Sequence, residues 1–258
     1  MLRLLDARSG APADVRPTRT GLLRVCAYLP GGEPDVTGLR VLLVADLLTR
    51  VAEMGDLQVV TVLATDGQSP AHVADLTDRY GIHPPSAQVN RADIRAMSGG
   101  PVDVHLVSGD PSVTGTQGGL VVNVGVANMP QADDFDPLAV RYALLSFPYD
   151  QLAEATESVL AGAGETIGRW RTLVAGWAEM PSGAIPARVV EAAQAAWSDL
   201  DTVSVLTLLD DLAADDAVPA GARFESFLYA DRILGLELAR EIGRTPWTGF
   251  TVAGRDPV

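Results

Sequence analysis

The sequence predicts an α/β fold, a parallel sheet with helices on both faces over residues 1–132, followed by an all-α helical bundle over residues 133–258. Three observations predict it. In the first half, apolar runs of strand length alternate with segments of helical period. After about residue 133 the strand pattern stops and helical periods follow one another. A hydrophobic fraction of 47% over 258 residues is ample for a buried core, in one large or two smaller domains.

The elements follow in order. Residues 22–29 (LLRVCAYL) are a short apolar run closed by Pro30-Gly31-Gly32, which reads as a buried strand and a turn. From Asp35, placed as an N-cap, the period changes: Val36, Leu39, Leu43, Leu47 and Met54 fall near one face of a helix. Residues 57–64 (LQVVTVLA) are again strand-like and stop at Thr65-Asp66-Gly67. A helix is predicted over 70–80, a turn at Pro84-Pro85, a short helix over 91–97, and strands over 102–107 and 120–126. In the second half, helices are predicted over 137–146, 149–177, 186–197, 203–214 and 222–242. In the last of these, Phe224, Leu228, Leu234 and Leu238 keep helical spacing.

Charge and composition narrow the function classes. Residues 1–132 carry 13 acids and 10 arginines, a net of −3, and residues 133–258 carry 20 acids and 9 arginines, a net of −11. Nucleic-acid binding works through cationic side chains that displace counterions, so the second half is a poor RNA surface. Every one of the 19 basic residues is arginine. The opening MLRLLDARSG has no apolar signal-like core and no stretch reaches the length of a membrane span, so a cytoplasmic address is expected. A single cysteine, Cys26, excludes an internal disulfide and an all-cysteine metal site.

Several segments, taken in order, carry a resemblance. Near the start stand Leu2-Arg3-Leu4-Leu5-Asp6 and Gly21-Leu22-Leu23-Arg24. Cys26 then lies four residues before Pro30 and twenty before Asp46, with Arg40, Leu48 and Arg50 beside it in register. Thr65-Asp66 follows a strand, and Asp103-Val104-His105 with Asp110 follows later. Residues 136–146 (DPLAVRYALLS), Asp199-Leu200-Asp201-Thr202 and residues 230–236 (ADRILGL) complete the series. Together they resemble cysteinyl-tRNA synthetase and its relative, the mycothiol-pathway ligase that joins cysteine to a glucosaminyl-inositol. The likeness spans nearly the whole chain, with a large deletion between Asp66 and Asp103 and a shorter one around Gly115 to Asn123.

The resemblance implies a class I synthetase type of Rossmann-like domain, then a bundle of the stem-contact and anticodon-binding kind. It also implies three chemical sites, and each is altered here. The HIGH-type motif falls on Asp35-Val36-Thr37-Gly38, or in a shifted register on Thr37-Gly38-Leu39-Arg40, and neither contains histidine. The KMSKS loop needs lysine, which this sequence does not contain, and residues 121–129 (VVNVGVANM) offer no arginine in its place. Of four zinc ligands only Cys26 is matched; the second cysteine falls in the deletion and the histidine and glutamate positions fall on Gly115 and Gly119. Zinc is therefore not expected, no other cofactor is expected, and use of ATP is left open.

Seven residues are candidates for the crevice that open α/β sheets form at the carboxyl ends of their strands: Cys26, Asp35, Thr37, Arg40, His105, Ser108 and Asp110. Each also has a plainer reading. Cys26 in an apolar strand is a small packed hydrophobe, Asp35 a helix cap, His105 a structural hydrogen-bonding group, and Arg40, Arg141 and Trp197 packing residues. The acidic run over 210–216 reads as a solvated loop. The leading functional expectation is a non-catalytic synthetase relative, with no catalytic and no metal-binding residues, that binds a small molecule or a protein partner. The alternative is a repurposed ATP-dependent ligase relying on Arg40, His105 or Asp110; a remnant tRNA-binding module is disfavoured by the −11 charge. The apolar richness of the bundle admits a homodimer.

Overall fold

The computed structural model describes residues 2–29, 35–65, 67, 69–115, 118–130 and 135–244. The chain opens on an antiparallel hairpin, β1 (Arg3–Asp6) and β2 (Ala11–Asp14). Then come β3 (Leu22–Tyr28), α1 (Val36–Met54), β4 (Gln58–Ala64), α2 (Pro70–Arg79), β5 (Ala87–Val89), α3 (Ile94–Met97), β6 (Val104–Val107) and β7 (Leu120–Asn123). The five strands from β3 onward form one sheet in the order β5-β4-β3-β6-β7, every neighbour parallel. That is the doubly wound order of a Rossmann-like sheet, in which the chain reverses direction across the sheet between β3 and β6.

Alternation along the strands explains why both faces are covered. Val25 and Ala27 of β3, Leu63 of β4 and Val104 and Leu106 of β6 turn to the face that packs α1. Cys26 and Tyr28, Ala64, Val107 and Val121 turn to the other, where Ile94 of α3 covers them. A strand buried on both faces reads as a near-continuous apolar run, and residues 22–29 are apolar but for Arg24, whose guanidinium donates to the Ser98 and Gly99 carbonyls.

The second half is helical: α4 (Pro137–Leu145), α5 (Glu157–Trp177), α6 (Ala187–Trp197), α7 (Thr202–Ala214) and α8 (Ala220–Leu234). Its centre is aromatic. Trp170 meets Phe227 and Tyr142 edge-on with ring centroids 5.5 Å apart, and Trp177 meets Phe227 at 5.2 Å. Packing continues across residue 133, because Ala139 and Val140 of α4 and Leu160 of α5 share the core beneath α1. Among the described residues no helix is long and apolar enough to cross a membrane.

Three local expectations differ from the structure. The acidic run over 210–216 is not all loop: Asp210 and Asp211 lie in α7, and Asp210 accepts from Arg169 at 2.6 Å and from the Trp170 indole at 3.2 Å. Residues 149–177 are not one helix: β9 (Ala153–Glu154) pairs in parallel with β8 (Ala127–Asn128) before α5 begins. The tertiary pull is explicit, since Arg40 draws in the carbonyls of Pro148 and Gln151, and Gly125 lies so close to Gln151 that a Cβ there would sit 1.9 Å from its carbonyl oxygen. The last helix stops at Leu234 instead of running to 242. Gly235 turns left-handed at φ 63°, and the Asp231 carboxylate accepts from the amides of Leu236 and Leu238 at 2.7 and 2.8 Å, so those amides leave the helical ladder.

Candidate functional site

The switch point between β3 and β6 brings two of the candidate residues together. Cys26 lies beside His105 in the strand register, and Tyr28 follows Cys26 on the same face. The Tyr28 hydroxyl is 2.9 Å from His105 Nδ1, and His105 Nε2 is 2.9 Å from the Gly118 carbonyl oxygen. A carbonyl only accepts, so Nε2 carries the hydrogen and Nδ1 accepts from the phenol. Cys26 lies beside this pair on the same buried face. A directional chain runs phenol, imidazole, carbonyl.

Burial sets the charge state of this chain. It pushes the Cys26 thiol up to about 12, raises Tyr28 and lowers His105, so all three are neutral near pH 7. Cys26 and His105 are fully buried and Tyr28 is 4% exposed. The chain holds the turn at Gly118 against the sheet, supported by Arg8, which donates to the Gly119 carbonyl and the Thr114 hydroxyl at 3.0 Å each. Its donors and acceptors are satisfied internally.

The start of α1 holds the next three candidates, and each is engaged. Asp35, with extended backbone, accepts from the Gly38 amide at 2.9 Å, so its carboxylate occupies the free N–H end of the helix. The Thr37 hydroxyl accepts from the Ala127 amide at 3.1 Å and donates to the Ala127 carbonyl at 3.4 Å, which ties α1 to β8. Arg40 is 1% exposed and donates to four carbonyls: Gly125 at 3.0 Å, Val126 at 3.1 Å, Pro148 at 2.6 Å and Gln151. Burial pulls its guanidinium down to about 10, still cationic.

Ser108 and Asp110 follow β6. Ser108 is half-buried, and the Gly109 amide beside it donates to Asn123 Oδ1 at 3.1 Å. Asp110 is exposed and caps the turn Pro111–Thr114, accepting from the Ser112 amide at 2.8 Å and hydroxyl at 2.5 Å; those two bonds lower its carboxyl.

An open groove does lie at the carboxyl edge of the sheet, one strand away from the switch point. It encloses about 470 Å³ where β4 and β5 end, lined by Thr65, Gln88, Asn90 and Asp93 with the exposed Met97. Gln88 donates to the Thr65 hydroxyl at 3.3 Å. Of these only Thr65 stands out in the sequence; Asp66, named with it there, lies outside the described residues.

A second polar centre escapes the sequence reading. Asp46 is buried in the middle of α1 and its Oδ2 takes Arg141 at 2.5 Å and Arg50 at 2.9 Å. Its Oδ1 takes the His83 amide at 3.0 Å and His83 Nδ1 at 2.7 Å. Burial pulls the Asp46 carboxyl upward, but the His83 hydrogen bonds and the Arg141 and Arg50 charges outweigh it and hold it below the usual carboxylate range. The His83 ring, half exposed, borders a cavity of about 290 Å³ with Thr49, Glu53, Thr61 and Ser86. A carboxylate in the middle of an apolar helical run is the sequence signal for such a centre, because a buried charge needs partners.

No family model matches the chain, and no curated protein matches it in sequence. Among solved structures, one from Campylobacter jejuni, provisionally described as an arginyl-tRNA synthetase, overlaps 87% of this chain and 91% of that chain, at 9% identity and a TM-score of 0.43. The Rossmann-like fold follows from the strand order β5-β4-β3-β6-β7.

Proposed function

We propose that this chain is a non-catalytic relative of the cysteinyl-tRNA synthetases, a cytoplasmic pseudo-synthetase that has kept the sheet and bundle and works by binding a small molecule or a protein partner. The observation that supports this most is the Asp35 cap. The N-terminus of α1 is where a helix dipole and free amides would receive an ATP phosphate, and there Asp35 presents a carboxylate bonded to the Gly38 amide. A phosphate approaching that end meets a like charge and an amide already in use.

Two further observations point the same way. Arg40, the nearest cation on α1, has its guanidinium engaged by four carbonyls, and the chain has no lysine to neutralise pyrophosphate. The surroundings of Cys26 do not fit a zinc site, because the imidazole beside it in the strand register uses both nitrogens in hydrogen bonds. The acidic second half argues against tRNA as the partner.

Titration calorimetry of the purified protein with MgATP and with a cysteinyl-sulfamoyl adenosine tests the proposal. No saturable ATP binding is expected up to millimolar nucleotide, and metal analysis is expected to find no stoichiometric zinc. An ATP dissociation constant in the micromolar range would overturn the reading of Asp35, and stoichiometric zinc the reading of Cys26.

A further inference from the structure

A cavity of about 290 Å³ lies beside the second half of α1, between that helix, β4 and residues 82–86, which lead into β5. That is the small end of the range of ligand pockets. Thr49, on its wall, stands roughly 21 Å along the helix from the Asp35 cap. The cavity is therefore separate from the α1 N-terminus, and a ligand here neither needs nor blocks that end.

Leu42, Leu63 and Ile82 form its apolar part. Its polar groups share one character, which the directions of their hydrogen bonds fix. The Asp46 carboxyl is held below the usual range and only accepts, so the 2.7 Å bond between His83 and Asp46 Oδ1 is donated by Nδ1. In the neutral ring that hydrogen is the one available, and Nε2 keeps a lone pair. The His83 amide binds the same oxygen at 3.0 Å, which anchors ring and backbone together while the side chain stays 51% exposed. The Thr49 hydroxyl gives its hydrogen to the Ala45 carbonyl at 2.8 Å, so in the 3.2 Å contact between the two threonines Thr61 is the donor. Thr61 has only lone pairs left to offer. Glu53, exposed, adds a carboxylate, and Ser86 at the rim is the one hydroxyl free to give or accept. Among the described residues no arginine lines the cavity; Arg50 and Arg141 face Asp46 Oδ2 instead.

We propose that this cavity binds a small primary ammonium with a compact apolar body, its N–H donors received by the His83 ring, the Thr61 hydroxyl and the Glu53 carboxylate. An ammonium brings three donors and a charge opposite to that of Glu53. An anion would meet a like charge and lone pairs, and an alcohol has a single hydrogen to give.

The test uses the full chain near pH 8, where free imidazole is neutral. It follows the ring nitrogens of ¹⁵N-histidine-labelled protein while benzylammonium, benzyl alcohol and benzoate are titrated in turn. The free protein is expected to show His83 with its hydrogen on Nδ1, in a signal that His83→Phe lacks. Benzylammonium is expected to shift the Nε2 resonance of that ring saturably and to bind about tenfold more tightly than benzyl alcohol, which has the same bulk. Benzoate is expected not to bind. In Glu53→Gln the preference for benzylammonium over benzyl alcohol is expected to fall about threefold, the alcohol binding as before. Should His83→Phe not fold, judged by circular dichroism, the order of the probes on the unmodified chain and its change in Glu53→Gln decide. A ring with its hydrogen on Nε2, no shift with benzylammonium at millimolar concentration, or affinity for benzyl alcohol or benzoate equal to that for benzylammonium overturns the proposal.

Discussion

Asp46→Asn removes one negative charge from the point where α1, α4 and the loop at His83 are joined. Arg141 loses its ion-pair partner while remaining 0% exposed, with Arg50 close by. Breaking a buried pair from one side costs about 3–5 kcal/mol, because the remaining charge stays desolvated. The asparagine oxygen still accepts a hydrogen bond, so the lower figure applies, about 3 kcal/mol. At about 2–4 °C per kcal/mol for a chain of this size class, the melting temperature falls by roughly 6–12 °C. Urea unfolding at pH 7, 5 and 3 measures it. The folded Asp46 carboxyl is depressed, so its contribution is complete above the unfolded value near 3.9 and is lost as pH falls through the lower folded value. The gap between the two proteins is therefore constant from pH 7 to 5 and shrinks only in strong acid. A variant within about 1 kcal/mol of the parent at pH 7, or a gap already closed at pH 5, would refute the account of this centre. Arg141 also donates to the carbonyls of Tyr80, Gly81 and Leu234, so Asp46→Asn with Arg141→Met does not restore stability.

Three other outcomes are expected. Cys26, with its thiol pushed up to about 12 and fully buried, does not react with a thiol-specific reagent at pH 8 in the folded protein and reacts fully in urea; labelling of the folded state at the rate of the unfolded one contradicts that burial. Arg40→Met deprives four carbonyls of their donor and lowers stability by about 3 kcal/mol or more in urea unfolding, against near-neutrality if the clamp does nothing. Among the glycines, Gly162→Ala in α5, with open space around it, stabilises by about 0.5–1 kcal/mol, whereas Gly125→Ala, 1.9 Å from the Gln151 oxygen, destabilises strongly; thermal melts separate the two.

Much of the sheet was legible because its strands are buried on both faces and its helix has a clean period. Residues 22–29 and 57–64 match β3 and β4 within a residue or so, and the cap at Asp35 sits where the period changes. What stayed hidden depends on distant partners. Nothing local in residues 149–156 says that Arg40 and Gly125, more than twenty residues earlier, pull that segment out of a helix. Leu238 keeps helical spacing past the true end of α8, because the stop is made by Asp231 bonding forward to two amides. His83 gave no sign of its role, since its partner lies 37 positions earlier. The candidate site shows the same division. Cys26 and His105 both stand out in strand patterns, but Tyr28, whose hydroxyl bonds the His105 ring, reads as one more apolar strand residue.

ATP–pyrophosphate exchange, run on the purified chain with each of the twenty amino acids in turn, tests the central claim most directly, because exchange requires the adenylation step that the α1 N-terminus is proposed to have lost. The account predicts no exchange above the enzyme-free blank with any of them, cysteine included. Robust exchange with any one amino acid would contradict it and make this chain a working ligase.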